Sequence, residues 1–401
     1  SRLPLSALEE GIAFAQAAPP PRVLVTVFLE GGADALSILF PGSNSRYRAL
    51  RPTLALPASA GQPFAEDDRL RWHPSAAGLA ELHAEGKVTA IPAIGYTDPN
   101  QSHFTSRHFW EVGATSASIR TGWIGRYLDL VGTQDNPLQG LSLDWNLQPS
   151  LATASVPVAT VDSPGAYEFW ARGVWGDVET EMLDSIGDLS AAAALPDPAL
   201  KQASAVAYQT AQLRTQLSAF AAAQGDTPTS PVTYPAGEDF AERLAGLAAM
   251  LGAGLPLHCV ALQAPGMYDT HSEQAGELTN GLKLTSDSLL AFQRDLEARS
   301  LADRVVTLVW SEFGRRAREN GSRGTDHGAA GIGFLIGSRV RGQMIGEFPG
   351  LGSSGIDSEG NMRATADYRG LYSGLLEQWL GTDAAAVIPG AAQFARPTLL
   401  K

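Results

Sequence analysis

The sequence is short of cysteine. Cys259 is the single one in 401 residues, so an intrachain disulfide and a cysteine-rich zinc site are excluded. Its place inside an apolar run reads as that of a small buried hydrophobe. No apolar stretch reaches the ~18 residues of a membrane span. A Walker loop and a Gly-x-Ser-x-Gly elbow are both missing. Basic residues are also in deficit, with 29 Lys and Arg against 42 Asp and Glu and a net charge of −13. A surplus of that sign disfavours nucleic acid and anionic membrane as partners, because both reward a basic face. It leaves room for a local basic pocket that takes a small anion.

What is present is an ordinary globular composition, 44% hydrophobic and 18% charged, in a chain long enough to bury a sizeable core. The stretch that organises it is Trp310-Ser-Glu-Phe-Gly-Arg-Arg, which continues to Gly324-Thr-Asp-His-Gly328. The apolar run Arg304–Trp310 reads as a buried strand, and acid, imidazole and guanidinium follow directly at its end. Three other apolar runs end in similar chemistry. Arg22–Leu29 leads to Glu30-Gly-Gly-Ala-Asp34, Lys87–Ile94 to Gly95 and then Asn100-Gln-Ser-His-Phe104, and Pro256–Gln263 to Met267-Tyr-Asp-Thr-His271. In open α/β sheets ligands bind beyond the carboxyl ends of the strands, so the four strand ends define the expected site.

The order strand, helix (74–86), strand predicts a parallel α/β sheet. Helical spacing recurs from Ser102 onwards, at 198–224, at 237–252 and at 275–300, and Gly331–Val340 reads as a fifth strand. Residues 1–18 read as a short helix broken by Pro19-Pro-Pro, with a small-residue tail like that of an export signal. The expected organisation is therefore residues 1–21 as an N-terminal helix and linker, and 22–401 as one α/β domain with a cap or insertion around 138–250.

Asp269 and His271 are two residues apart in an extended loop, so carboxylate and imidazole can face one cation. Asp326 and His327, between glycines, have the same potential. Asp34 reads either as a turn residue or as a ligand. Glu312, two residues beyond a buried strand, needs a partner. Carboxylates and imidazoles crowded at adjacent strand ends repel one another unless cations lie between them, which predicts one or two divalent metals, zinc, manganese or calcium. His103 stands where a helix begins. Ser102 and Thr97 nearby are candidate nucleophiles or helix caps, and Arg315 is a candidate clamp for phosphate or sulfate.

With these residues in view the chain resembles the exported bacterial family catalogued as domain of unknown function 1501, grouped with the alkaline phosphatase-like superfamily. The resemblance runs from Val23 to the last helix. It rests on Phe28-Leu-Glu-Gly-Gly-Ala-Asp34, Asp98-Pro-Asn-Gln-Ser-His-Phe104, Asp269-Thr-His-Ser272, Ser311-Glu-Phe-Gly-Arg315 and Gly324-Thr-Asp-His-Gly328. It implies a three-layer α/β/α sandwich, a two-metal site and hydrolysis of phosphate or sulfate esters. By order, Asp34 resembles the first-strand metal ligand, and Asp269, His271 and His327 resemble the ligands of one metal. Where the superfamily has Asp-His, this chain has Glu312-Phe313, so one imidazole is missing unless His103 supplies it. The expectation is an exported, periplasmic or secreted, metal-dependent hydrolase acting on a small anionic ester or a sulfated or phosphorylated glycan. The alternative is a catalytically lapsed member that binds metal, glycan or another envelope protein.

Overall fold

The computed structural model describes residues 21–162, 173–192, 197–217 and 230–401. The expected N-terminal helix and the end of the 198–224 helix lie outside them.

The scaffold is an eight-stranded sheet. Its strands are β1 (Val23–Phe28), β2 (Val88–Gly95), β3 (Gly140–Ser142), β4 (Ala159–Thr160), β5 (Cys259–Gln263), β6 (Val305–Trp310), β7 (Gly331–Ile336) and β8 (Ala366–Asp367). Across the sheet they lie in the order β8-β2-β7-β6-β1-β5-β3-β4. All pairings are parallel except those of β7, which runs antiparallel to both β2 and β6. The architecture is the α/β class expected, with a mostly parallel sheet.

The central strands are apolar throughout because both faces are covered. All six residues of β1, of β6 and of β7 are buried. Alternate residues of β1 serve different cores: Val23, Val25 and Val27 face one, and Leu24 and Phe28 the other. The first core is roofed by the helices Ala77–Ala84, Asp239–Gly252 and Gln274–Ala298, which contribute Leu79, Leu247 and Phe292. The second is roofed by His103–Val112, Trp123–Val131 and Tyr368–Gly374, through Trp110, Trp123 and Tyr372. Each fully buried Val, Leu or Phe side chain contributes about 1.5–3 kcal/mol, so two such layers fix the sheet rigidly. The stretch expected as a cap opens with β3 and β4, which extend the sheet at one edge. It continues into the helices Asp177–Ala192 and Pro198–Leu217.

Strand direction sets the site. The carboxyl ends of β1, β2, β5 and β6 share one edge, and the antiparallel β7 brings its amino end to that same edge. Just before β7, Arg315–Glu319 and Thr325–His327 form a two-stranded antiparallel ribbon that pairs His327 with Arg315. Side chains far apart in sequence therefore meet above the middle of the sheet.

Candidate metal centre

The site begins with the glycine pair after β1. Gly31 has φ 113° and Gly32 φ 82°, and a Cβ on Gly31 would stand 2.2 Å from the backbone nitrogen of Asp269. Only glycine accepts both conditions. The resulting turn aims two N–H groups at Glu312, which is 1% exposed. Gly31 N–H donates to Oε1 at 3.0 Å and Gly32 N–H to Oε2 at 3.1 Å. Ser311 locks the same corner, donating to the Leu29 carbonyl at 2.7 Å and accepting from Ala33 N–H at 2.9 Å. The acid that needed a partner has several.

Glu312 also reaches outward, with Oε1 2.8 Å from Nδ1 of His103. His103 opens the helix His103–Val112, and its other nitrogen, Nε2, lies 3.4 Å from Asp269 Oδ2. His103 is thus the imidazole that comes to the Glu312-Phe313 position. Phe313 itself is buried and lies under two imidazoles, its ring centroid 4.9 Å from that of His103 and 4.7 Å from that of His327. It forms an apolar floor where a polar side chain would need further partners.

His327 is oriented by a backbone carbonyl. Its Nδ1 lies 2.8 Å from the Gln101 oxygen, which can only accept, so Nδ1 carries the proton and a neutral ring keeps its lone pair on Nε2. That Nε2 is 3.1 Å from Asp269 Oδ1. His271 joins from the rim: its Nε2 is 2.9 Å from His327 Nε2 and 3.1 Å from Asp269 Oδ1, and its Nδ1 is 3.4 Å from Asp326 Oδ1. Asp326 is steadied in turn by the Asn320 amide, which donates at 3.1 Å.

Ligand-capable atoms of His103, Asp269 and His327 all lie within 4.8 Å of one another. The set suits a divalent cation on its own chemistry. Both imidazoles have Nδ1 held by an acceptor and Nε2 turned inward, which is how metal-bound histidines are held, with the outer partner fixing the tautomer. The Glu312 carboxylate raises the His103 imidazole above its ordinary value, against the effect of partial burial, whereas burial lowers His327. Burial alone would raise the Asp269 carboxyl, but the hydrogen bond and charge of Arg315 outweigh it and hold it at about 2. Asp269 is ionised at any physiological pH.

Two expected site residues belong to the scaffold instead. Asp34 is 1% exposed, and Arg51 grips it through both guanidinium ends, at 2.5 and 2.9 Å. Ser37 and Gln274 donate to it as well, at 2.7 and 2.5 Å, so its oxygens are taken before any cation arrives. Arg315 is fully buried, and each of its nitrogens already has an acceptor: the carbonyls of Gly32, Thr325, Gly31 and Tyr268, and Asp269 Oδ1. It braces the loops that carry the cluster and has no free edge for an anion.

The two nucleophile candidates are separated. Ser102 is exposed, stands at the N-cap position of the His103 helix and makes no side-chain cap bond. Its neighbours on either side, Gln101 and His103, both touch the cluster. Thr97 lines a different cavity of about 550 Å³ with Asp98, Arg363 and Thr365, and none of the cluster residues line it.

The profile of a family described as "protein of unknown function (DUF1501)" matches residues 95–385. The chain belongs to this family. Among curated proteins none matches it. Solved structures with a similar course include a protein in the alkaline phosphatase superfamily from Vibrio parahaemolyticus, at 12% identity and TM-score 0.39, covering 94% of this chain and 71% of that one. The PsFucS1 sulfatase from Pseudoalteromonas sp. follows at 11% identity and TM-score 0.39, covering 98% and 75%. The C-terminal periplasmic domain of EcEptC from Escherichia coli in complex with zinc is 10% identical at TM-score 0.38, covering 93% and 88%. At such TM-scores these likenesses bear no weight on the site, which stands on its own side chains.

For this DUF1501 member the carboxylate behind His103 yields a direct prediction. Glu312→Gln places an amide where the Gly31 and Gly32 N–H groups and His103 all need an acceptor. Metal affinity is expected to fall about 10–100-fold, the usual cost of losing an outer partner, as read by competition with a coloured chelator. Unchanged affinity would remove Glu312 from the metal's support.

Proposed function

We propose that this protein is a metal-dependent hydrolase of phosphate or sulfate esters, with His103, Asp269 and His327 holding the cation and His271 at its rim. The observation that supports it most is the inward convergence of two Nε2 atoms and one carboxylate, each anchored from behind, at the carboxyl edge of a parallel sheet. The ester class rests on the resemblance of the strand-end motifs to the alkaline phosphatase-like superfamily. Export rests on the small-residue stretch near residue 18; no helix among the described residues is long and apolar enough to cross a membrane.

When bound, a divalent cation polarises an ester oxygen and lowers the pKa of an attacking hydroxyl. The chain's own residues do the rest. Asp269 and the inward nitrogens fix where the ester oxygen is drawn. Ser102 presents an unengaged hydroxyl at the amino end of a ten-residue helix, whose free N–H groups and dipole favour negative charge. Phe313 excludes water from beneath the two imidazoles.

The test is a panel of aryl phosphates and sulfates assayed with zinc, manganese and calcium. Metal-dependent turnover is expected, and Ser102→Ala is expected to lower it by on the order of a hundredfold or more, as loss of a positioned nucleophile does. Chelator-insensitive turnover, or none on any ester with any metal, would overturn the reading.

A further inference from the structure

The same edge of the sheet carries a second concavity. The segments that follow β3 and β5 enclose it with the amino end of the helix Asp239–Gly252, and it has a volume of about 420 Å³, within the range of small-ligand sites. Trp145 lines it and is 76% exposed. An indole left open beside a cavity lacks the apolar cover that a side chain of this size normally finds.

The polar lining narrows what that cover is. Arg243 is paired with Asp162, Nε donating to its carbonyl and Nη2 to its carboxylate, so its charge is already compensated. The other charged lining residues are Asp144, Glu238 and Asp239. Glu238 stands at the helix N-cap without a side-chain cap bond. Asp144 accepts from the Gln148 amide at 2.7 Å and keeps lone pairs in reserve. A cavity of acceptors with one aromatic wall repels phosphate or sulfate and suits a neutral ring that has an apolar face and a rim of hydroxyl donors.

The cavity is also wired to the metal cluster. Gln148 accepts from Arg107 at 3.1 Å, and Arg107 stands one helical turn beyond His103 on the same helix. Arg107 donates to Glu30 at 3.2 Å, and Glu30 accepts from Gln263 of the cavity wall at 2.7 Å. Glu30 directly precedes the glycine turn that holds Glu312.

We propose that this cavity is a sugar subsite: a neutral pyranose ring of the substrate stacks on Trp145 and donates hydroxyls to Asp144, Glu238 and Asp239, while another residue of the same glycan presents the ester to the cluster. The proposal rests on the ester-hydrolase reading and narrows its substrate class to glycan esters.

The test is saturation-transfer NMR of the full chain with neutral gluco-, galacto-, manno- and xylo-configured tetrasaccharides and with tetramethylammonium. Turnover of the aryl esters is followed on the same preparation. At least one tetrasaccharide is expected to bind, and Trp145→Ala is expected to weaken it about tenfold, as removal of an aromatic anchor does. Trp175→Ala, at a second exposed indole, is expected to leave it unchanged. No tetrasaccharide binding, an equal loss in Trp175→Ala, or binding of tetramethylammonium in place of the sugars would overturn the proposal. Trp145-dependent sugar binding without any ester turnover supports the subsite and removes the hydrolase. Ester turnover without sugar binding does the reverse.

Discussion

Asp269→Asn and His327→Ala are each expected to lower ester turnover by on the order of a thousandfold, since a bound cation supplies several kcal/mol of charge stabilisation and each 1.36 kcal/mol is a factor of ten in rate. The choice of Asn at 269 matters. Asp269 gives the fully buried Arg315 its side-chain acceptor, so Asp269→Ala would leave a buried guanidinium N–H without that acceptor, and instability would mimic loss of catalysis. Asn keeps an oxygen for Arg315 and removes the charge that faces the imidazoles. His327 has no such second duty, because its outer contact is one carbonyl oxygen. Steady-state assays with each metal at saturation decide the matter. Turnover within about tenfold of wild type in both variants would show that the cluster is not where the chemistry occurs.

Arg51→Met is expected to cost about 3–5 kcal/mol of folding stability, the usual penalty for stranding one member of a buried ion pair. The side chains of both partners are at most 1% exposed. Arg51 also donates to the carbonyls of Ala317 and Arg316, so it ties the helix turn after β1 to the ribbon that carries His327. The double variant Asp34→Asn with Arg51→Met is expected to cost less than the single Arg51 change, because the stranded charge is gone, and a double-mutant cycle in urea measures the coupling. Acid provides a second arm. Burial alone would raise the Asp34 carboxyl, but Arg51, Ser37 and Gln274 outweigh it and hold it below its ordinary 3.8. A depressed carboxyl contributes stability that is complete above the unfolded value and is lost as pH falls towards the folded one. Wild-type stability is therefore expected to fall below pH 3.8 more steeply than that of the double variant. A single Arg51→Met cost under about 1 kcal/mol would contradict the assignment of Asp34 to the scaffold.

The fold was legible where burial on both faces leaves an unbroken apolar run. β1 and β6 announce themselves in this way, and so does the helix Gln274–Ala298 through its spacing. Direction was not legible: nothing in Gly331–Ile336 distinguishes an antiparallel strand from a parallel one, yet that reversal is what delivers His327 to the edge. β3 and β4, of three and two residues, are too short for any periodicity to reveal, and their stretch read as cap.

Of the candidate site, His103, Asp269, His271, Glu312 and His327 were visible as polar residues at glycine-flanked strand ends. What hid was partnership. Arg51 sits in a loop with no pattern pointing to Asp34, and Arg315 looks like an anion clamp until the carbonyls around it are seen. The Gln101 carbonyl, which sets the His327 tautomer, has no signature at all, since every residue has a backbone oxygen. Glu312 was the instructive case. A carboxylate two residues past a buried strand had to have donors, and the adjoining Gly31-Gly32 turn was the place to look for them.

The most direct test is the metal content of wild type and His327→Ala, purified side by side after exposure to zinc, manganese and calcium and then desalted. About one equivalent of a divalent metal in wild type, absent from a folded variant, is the predicted result, because three donors converge at one point and each is held from behind. Wild type that retains no metal from any of the three, or a variant that retains as much, would contradict the assignment of this cluster as a metal centre.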